Sequence, residues 1–226
     1  NSVETSIYKN SFWYNGQVLN IGLPRNDILY HYSEGLKRKV YDFFNIDYNK
    51  KIVLYAPTYR DNLNIEDITF DFYKCCDILK EKFNSEYVIL LRLHPILFQY
   101  VNMINYDNVV IDANHYDDIQ ELLAISEIGI TDYSSISFDM SMLEKPVFLI
   151  CKDLNNYSSC ERGLAFANDE LPFNYSKTEE ELFENIRAFS ITDYKNKCKN
   201  FYEKIGLINT DHASKDIVEI IKQEMS

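Results

Sequence analysis

Five short apolar runs, none alternating with polar residues, most constrain what this 226-residue chain can fold into. They are Lys51-Ile-Val-Leu-Tyr-Ala-Pro57, Tyr87-Val-Ile-Leu-Leu-Arg-Leu-His-Pro95, Val109-Val-Ile-Asp112, Ile128-Gly-Ile-Thr131 and Pro146-Val-Phe-Leu-Ile150. Unbroken hydrophobicity over a strand's length predicts strands covered on both faces, the condition of a parallel sheet. Between the runs, the spacing of apolar residues predicts helices over Phe70–Phe83, Ile96–Ile104, Asp117–Ala124 and Ser134–Leu143. Strands alternating with helices form βαβ units. The fold class expected is therefore α/β, a Rossmann-like doubly wound parallel sheet with its ligand at the carboxyl ends of the strands.

Past Asp153 the strand signal fades through Phe173, and helical patterns follow at Glu179–Ala188, Tyr194–Lys204 and His212–Lys222. At the front, Val18-Leu-Asn-Ile-Gly22 reads as a short strand, and Asp27–Phe44 has helical spacing broken by Ser33 to Gly35. No internal repeat, low-complexity tract or linker divides the chain. It reads as one Rossmann-like domain over 1–226, with the segment 1–45 and the helices of 177–226 packing on it.

A chain that is 46% hydrophobic and 26% charged can bury a sizeable core, and no run approaches the roughly 18 apolar residues of a membrane span. A soluble globular chain is expected. The opening residues Asn1 to Lys9 carry no initiator Met, basic stretch or apolar core of a signal peptide, so the sequence is expected to begin inside a longer protein. The net charge of −12 disfavours a nucleic-acid partner, because an acidic surface repels a phosphate backbone. Cys75, Cys76, Cys151, Cys160 and Cys198 form no C-x-x-C pair and have no His at zinc spacing, which predicts reduced thiols in a cytoplasmic protein and no metal site.

Any phosphate must then be handled in a local pocket. Six arginines stand against seventeen lysines, and Arg25, Arg60, Arg92 and Arg162 sit beside Pro, Thr, His or Gly in short motifs. A guanidinium fork suits phosphate oxygens, although each of these arginines taken alone reads equally well as an ion-pair partner. The most telling stretch is Thr131-Asp-Tyr-Ser-Ser-Ile-Ser-Phe-Asp139, which follows an apolar strand and opens a helix. There Ser134 and Ser135 would meet a diphosphate beside unpaired N–H groups, while Asp132 would fix the loop or touch the nucleotide, since a carboxylate facing phosphate would repel it. A serine cap needs no ligand and is worth only about 1 kcal/mol, so it is the position at a strand's carboxyl end that points to one. In Ala56-Pro-Thr-Tyr-Arg-Asp61, Pro57 stops the ladder and places Thr58 and Arg60 at the same rim. In Arg92-Leu-His-Pro95, alternation puts Arg92 and His94 on one face, and histidine's titration near neutrality suits His94 to protonate a leaving phosphate. Asp117-Asp118 opens a helix, where acidic residues are favoured without any metal.

Together with Gly22-Leu-Pro-Arg-Asn-Asp27, Glu144-Lys-Pro146 and Arg162-Gly163, these motifs resemble, in order and spacing, the CDP-glycerol glycerophosphotransferase family of teichoic-acid and capsule polymerases. The match runs from about residue 20 to 165, with a weaker echo in Asn209-Thr-Asp-His-Ala-Ser214, where His212 departs from the pattern. The resemblance implies the C-terminal, donor-nucleotide-binding half of a GT-B fold. It implies CDP-glycerol or CDP-ribitol as donor, with Thr58, Arg60, Arg92, Thr131, Asp132, Ser134, Ser135, Arg162 and Gly163 binding it and His94 as the catalytic candidate. No tightly bound cofactor is implied, and a divalent metal is left open. The acceptor would be a polymer or lipid-linked primer held by the other half, with the intact protein peripheral to the inner face of the membrane. The family's Trp-His-Gly-Thr motif, whose histidine is regarded as the base, has no counterpart here: the sole tryptophan, Trp13, precedes Tyr14-Asn15-Gly16. Two other readings stay open on the sequence, a GT-B transferase or epimerase using a UDP-sugar and a noncatalytic α/β interaction module.

Overall fold

In the computed structural model, which describes residues 2–59, 64–154, 166, 170–207 and 210–225, the unalternating runs are strands, nearly all of whose residues are buried except at the edge strand of the 109–112 run. They are β1 (Lys51–Tyr55), β2 (Tyr87–Leu91), β3 (Val110–Asp112), β4 (Ile128–Thr131) and β5 (Val147–Ile150). Every residue of β2, β4 and β5 is buried. A sixth strand, β6 (Asn174–Ser176), completes a wholly parallel sheet of order β3-β2-β1-β4-β5-β6. This is the strand order of doubly wound dinucleotide-binding sheets, whose direction of winding reverses between β1 and β4.

The helices are α1 (Ser2–Ser11), α2 (Asp27–Tyr30), α3 (Glu34–Phe44), α4 (Ile65–Ile68), α5 (Phe72–Phe83), α6 (Ile119–Ile125), α7 (Ile136–Ser141), α8 (Glu179–Ala188), α9 (Ile191–Lys204) and α10 (Ala213–Glu224). Most start where a short polar side chain takes a free N–H. Ser33 accepts from Leu36 N, Asp71 from Lys74 N, Asp118 from Gln120 N, Thr178 from Glu181 N and Ser190 from Asp193 N. Helix α5 packs with α8, whereas α6 packs with α2, α3 and α7, so the sheet carries two separate groups of helices. The N-terminal segment is tied to the C-terminal one by Asp27, whose carboxylate accepts from Ala213 N (3.0 Å) and Ser214 N (2.8 Å) and so caps α10. Burial works to raise the Asp27 pKa, but the Ser214 and Ala213 bonds outweigh it and hold the carboxyl below its usual range.

Three expectations change. Val18–Gly22 is not a strand but an irregular stretch in which Gly22 takes φ +88°, a left-handed conformation costly for other residues. The helix expected over 96–104 is a 3₁₀ helix, Pro95–Met103, with proline at its first position. Asn174–Ser176 gave no strand signal, being three mostly polar residues at the sheet edge.

Four cysteines, Cys75, Cys76, Cys151 and Cys198, are unbridged and buried, while Cys160 lies outside the described residues. Burial pushes the Cys76 thiol up to about 12 and the Cys198 thiol to about 11, from an ordinary 9.0, and raises Cys75 well above it. Thiols held protonated only in the folded state contribute stability that is complete below pH 9 and lost as pH rises through their folded values. Lys145 acts in the opposite sense, because burial lowers it to about 8 and its cost is relieved as pH rises. With three thiols against one lysine, the melting temperature is expected to fall progressively from about pH 9 upward, and less steeply in Cys76→Ala. Melts recorded across that range check this. A profile flat to pH 11 would contradict it.

Candidate functional site

The carboxyl ends of β1 and β4 lie side by side at the reversal point, and hydrogen bonds stitch the loops that leave them. Ala56 N donates to Ile130 O (3.1 Å), and the Thr131 hydroxyl donates to Ala56 O (2.7 Å). Asp132, 3% exposed, accepts from Thr58 N at both carboxylate oxygens (2.9 and 3.0 Å), from the Thr58 hydroxyl (2.7 Å) and from Tyr133 N (2.7 Å). The donors around Asp132 offset its charge, and Thr58 turns both its backbone N–H and its hydroxyl towards that carboxylate.

Helix α7 begins just past this knot. Gly129 of β4 leaves room for the Met140 side chain of α7, whose Sδ a Cβ there would meet at 2.5 Å. From the far side α9 fixes α7: the Phe138 and Phe201 rings stack at 5.8 Å, and the Tyr202 hydroxyl donates to Phe138 O (3.0 Å). Ser135 is the N-cap residue of α7, yet its hydroxyl makes no capping bond, and it is exposed. Ser134 Oγ accepts only a long bond from Ile136 N (3.4 Å). Unlike the caps of α3, α5, α6, α8 and α9, this serine pair leaves hydroxyls available at a helix start.

At the end of β2, Arg92 N continues the ladder to Tyr55 O (2.9 Å), and Arg92 Nη1 donates to Ala113 O (3.1 Å) and to Tyr116 O. Burial lowers the Arg92 pKa, partly countered by Asp118 and Asp117. The guanidinium is thus anchored on the β3–α6 loop. His94 is exposed, its Nδ1 accepts from Ile96 N (3.4 Å), and its ring centroid lies 5.8 Å from that of Tyr59, next to Thr58. The structure therefore gathers Thr58, Thr131, Asp132, Ser134 and Ser135 at the junction of β1 and β4, with His94 joined to it through Tyr59. Arg60, Arg162 and Gly163 lie outside the described residues.

Sequence reasoning missed the partnership of Arg25, Asn26 and Asp139. Asp139, 4% exposed, accepts from Asn26 Nδ2 (2.9 Å) and Arg25 Nη2 (3.2 Å). Burial pushes its carboxyl up, and the Asn26 and Arg25 partners pull it back. Both stretches had been read as motifs, but nothing local signals a contact across 114 residues. These three residues and Ser135 are among those lining a cavity of about 530 Å3, to which α1 (Glu4 among its residues), the 18–23 stretch, Tyr202 and the chain after α9 also contribute. Lys145, from the Glu-Lys-Pro motif, donates to Leu123 O and Ala124 O at the end of α6 and serves the fold. Among the described residues, no group of three or more His, Cys, Asp or Glu is placed to hold a metal ion, and no helix is long and apolar enough to cross a membrane.

A family model described as CDP-Glycerol:Poly(glycerophosphate) glycerophosphotransferase matches residues 1–223. The teichoic acid poly(glycerol phosphate) polymerase of Bacillus subtilis (strain 168) is 31% identical over 227 residues, covering 98% of this chain and 30% of that relative. A solved structure of the wall teichoic acid polymerase TagF aligns with a TM-score of 0.81 at 30% identity, covering 99% of this chain and 56% of that one. A TagF variant soaked with CDPG for 30 minutes aligns with a TM-score of 0.80 at 30% identity, covering 99% and 55%. The chain thus spans less than two thirds of the length of each of these proteins.

Proposed function

Because this chain belongs to the CDP-glycerol:poly(glycerophosphate) glycerophosphotransferase family and has the GT-B-like fold of its TagF members, we propose that it binds a CDP-linked alditol between β1 and β4 for transfer of the alditol phosphate to a teichoic-acid-like polymer. The observation that carries this is the Ser135 hydroxyl, which makes no capping bond and among the described residues has no other partner, at the reversal point of a doubly wound sheet. A hydroxyl of the acceptor gives its proton to a base in the facing half of the cleft and attacks the alditol-bearing β-phosphorus, a new P–O bond forms, the bond to the bridging oxygen breaks, and CMP leaves. Ser134, Ser135 and Arg60 hold the diphosphate, His94 gives a proton to the leaving phosphate, and Arg162 and Gly163 complete the donor seat. Thr58, Thr131 and Asp132 keep the two loops in register, and Arg92 contributes positive charge from its anchored position. Positioning and charge neutralisation supply most of the rate. The polymer or lipid-linked acceptor meets this half of the cleft from the rest of a longer protein peripheral to the membrane.

Nucleotide selectivity tests the donor. CDP and CMP are expected to raise the melting temperature more than UDP or ADP, and equal shifts from all four would leave only a generic phosphate site. In calorimetry, the Ser134→Ala/Ser135→Ala double variant is expected to bind CDP about tenfold or more weakly, since a hydrogen bond to a charged group is worth about 1.5–3 kcal/mol. Its fold should persist, because neither hydroxyl carries a strong structural bond. Unchanged CDP affinity would reduce α7 to an ordinary helix start.

A further inference from the structure

Asp139 is a buried carboxylate at which separate parts of the fold meet. It is 4% exposed and accepts from Asn26 Nδ2 (2.9 Å) and Arg25 Nη2 (3.2 Å). Against the upward push of burial on its pKa, Gln120 of α6 pulls in the same direction as those two partners. Asn26 is equally buried and is itself locked, because its N donates to Leu23 O (2.8 Å) and its Oδ1 accepts from Arg25 Nε (3.4 Å). The Arg25 side chain is 54% exposed, so its ion pair adds little to stability. Taking a carboxylate out of water is costly, and where packing alone mattered an apolar side chain would serve better. What Asp139 adds over such a side chain is one fixed geometry.

The element so fixed is α7. Its six residues are too few for a helix to hold its own place, and its first turn lacks a side-chain capping bond. Phe201 and Tyr202 of α9 grip it at Phe138 and Ser141. Asp139 supplies the polar anchor to the 24–26 turn, four residues beyond Ser135 and therefore on the same face of the helix. The next residue of that turn, Asp27, serves another element, capping α10 through Ala213 N and Ser214 N. We propose that Asp139, held by Asn26, is a positioning residue for the donor: it sets where Ser134 and Ser135 stand and does not touch the donor itself. The inference rests on the donor seat proposed above and adds to it the pair of buried side chains that place it.

Calorimetry with CDP on the 226-residue chain, at a temperature where each variant is folded, tests this. Asp139→Asn turns one carboxylate oxygen into NH₂, so Asn26 or Arg25 loses its acceptor, and CDP is expected to bind about tenfold more weakly. Asn26→Asp should lose as much, because it sets a second carboxylate against the first. The double variant Asn26→Asp/Asp139→Asn restores an amide-to-carboxylate bond with the roles exchanged and should recover most of the affinity. Asp27→Asn weakens the α10 cap and no bond to α7, so it should lower the melting temperature and leave CDP affinity within about twofold of native. Should Asp139→Asn not fold, Asn26→Ala, which leaves Asp139 its Arg25 partner, takes its place in the comparison. Native affinity in the folded single variant, no recovery in the double variant, or an equal loss in Asp27→Asn would each overturn the proposal, since a merely structural bond moves the melting temperature alone. Failure of CDP to bind the native chain would instead sink the donor reading, and it is seen separately in the native titration.

Discussion

Given CDP-glycerol and a poly(glycerol phosphate) primer, the 226-residue chain is expected to release CMP roughly 10²–10⁴-fold more slowly than a longer member of its family, the range general-base assistance typically supplies. Asp132 is a poor base, because its carboxylate is occupied by bonds from Thr58 and Tyr133. His94 has one ring nitrogen turned to Ile96 N and is assigned to the leaving phosphate. His31 and His212 lie against Asp211, far along the chain from the seat, and the resemblance places the base in a Trp-His-Gly-Thr motif that these residues do not include. Orientation of the acceptor by the facing half of the cleft would be lost as well, and that adds to the deficit. CMP release measured beside the longer enzyme decides the matter. A comparable rate would make His94 sufficient and remove the division of labour.

Replacing a single atom at the junction of β1 and β4 is expected to damage both stability and binding. In Asp132→Asn one carboxylate oxygen becomes an NH₂ group. Thr58 N reaches both oxygens, at 2.9 and 3.0 Å, so either orientation of the amide sets donor against donor. Losing charge-assisted bonds and leaving a buried donor unpaired costs about 3 kcal/mol of stability. The same bonds hold the loop that carries the donor seat, so CDP affinity should fall with it. Thermal melts and CDP titrations of the variant check the two effects together. A native melting temperature would show that the carboxylate does not hold the loops.

Strands β1, β2, β4 and β5 were legible because nearly all their residues are buried and leave no polar alternation, and the short edge strand β3 was legible from its β-branched Val110 and Ile111; the edge strand β6, Asn174–Ser176, offers no such run. Helix starts were legible where Asp, Ser or Thr takes an N–H. The reading failed where order depends on distant neighbours. Val18–Gly22 has strand-like residues but joins no sheet, and Val18, Leu19, Asn20 and Gly22 line a cavity instead. The serine pair could be placed at a helix start from sequence, but only the structure distinguishes Ser135, whose hydroxyl is free, from the bonded caps elsewhere. Asp139 closes the 131–139 motif, but no local pattern assigns it a role, because its partners Arg25 and Asn26 lie more than a hundred residues earlier.

Strand order also sets an order in time. A sheet that runs β3-β2-β1-β4-β5-β6 cannot join β1 to β4 until everything between them has been synthesised, and Asp132 must then find Thr58 across 74 residues. Closing so long a loop is entropically costly before any contact rewards it, and wholly parallel pairing makes such topologies slow to fold. The β1–β2–β3 half can form first, carrying His94 and Arg92 but not the Thr58–Asp132 junction. The crevice between β1 and β4, proposed above as the donor seat, is thus a late product of folding. Until β4 docks, the open flank of β1 presents an unpaired apolar edge, which makes this the stage at which the nascent chain is most exposed to aggregation.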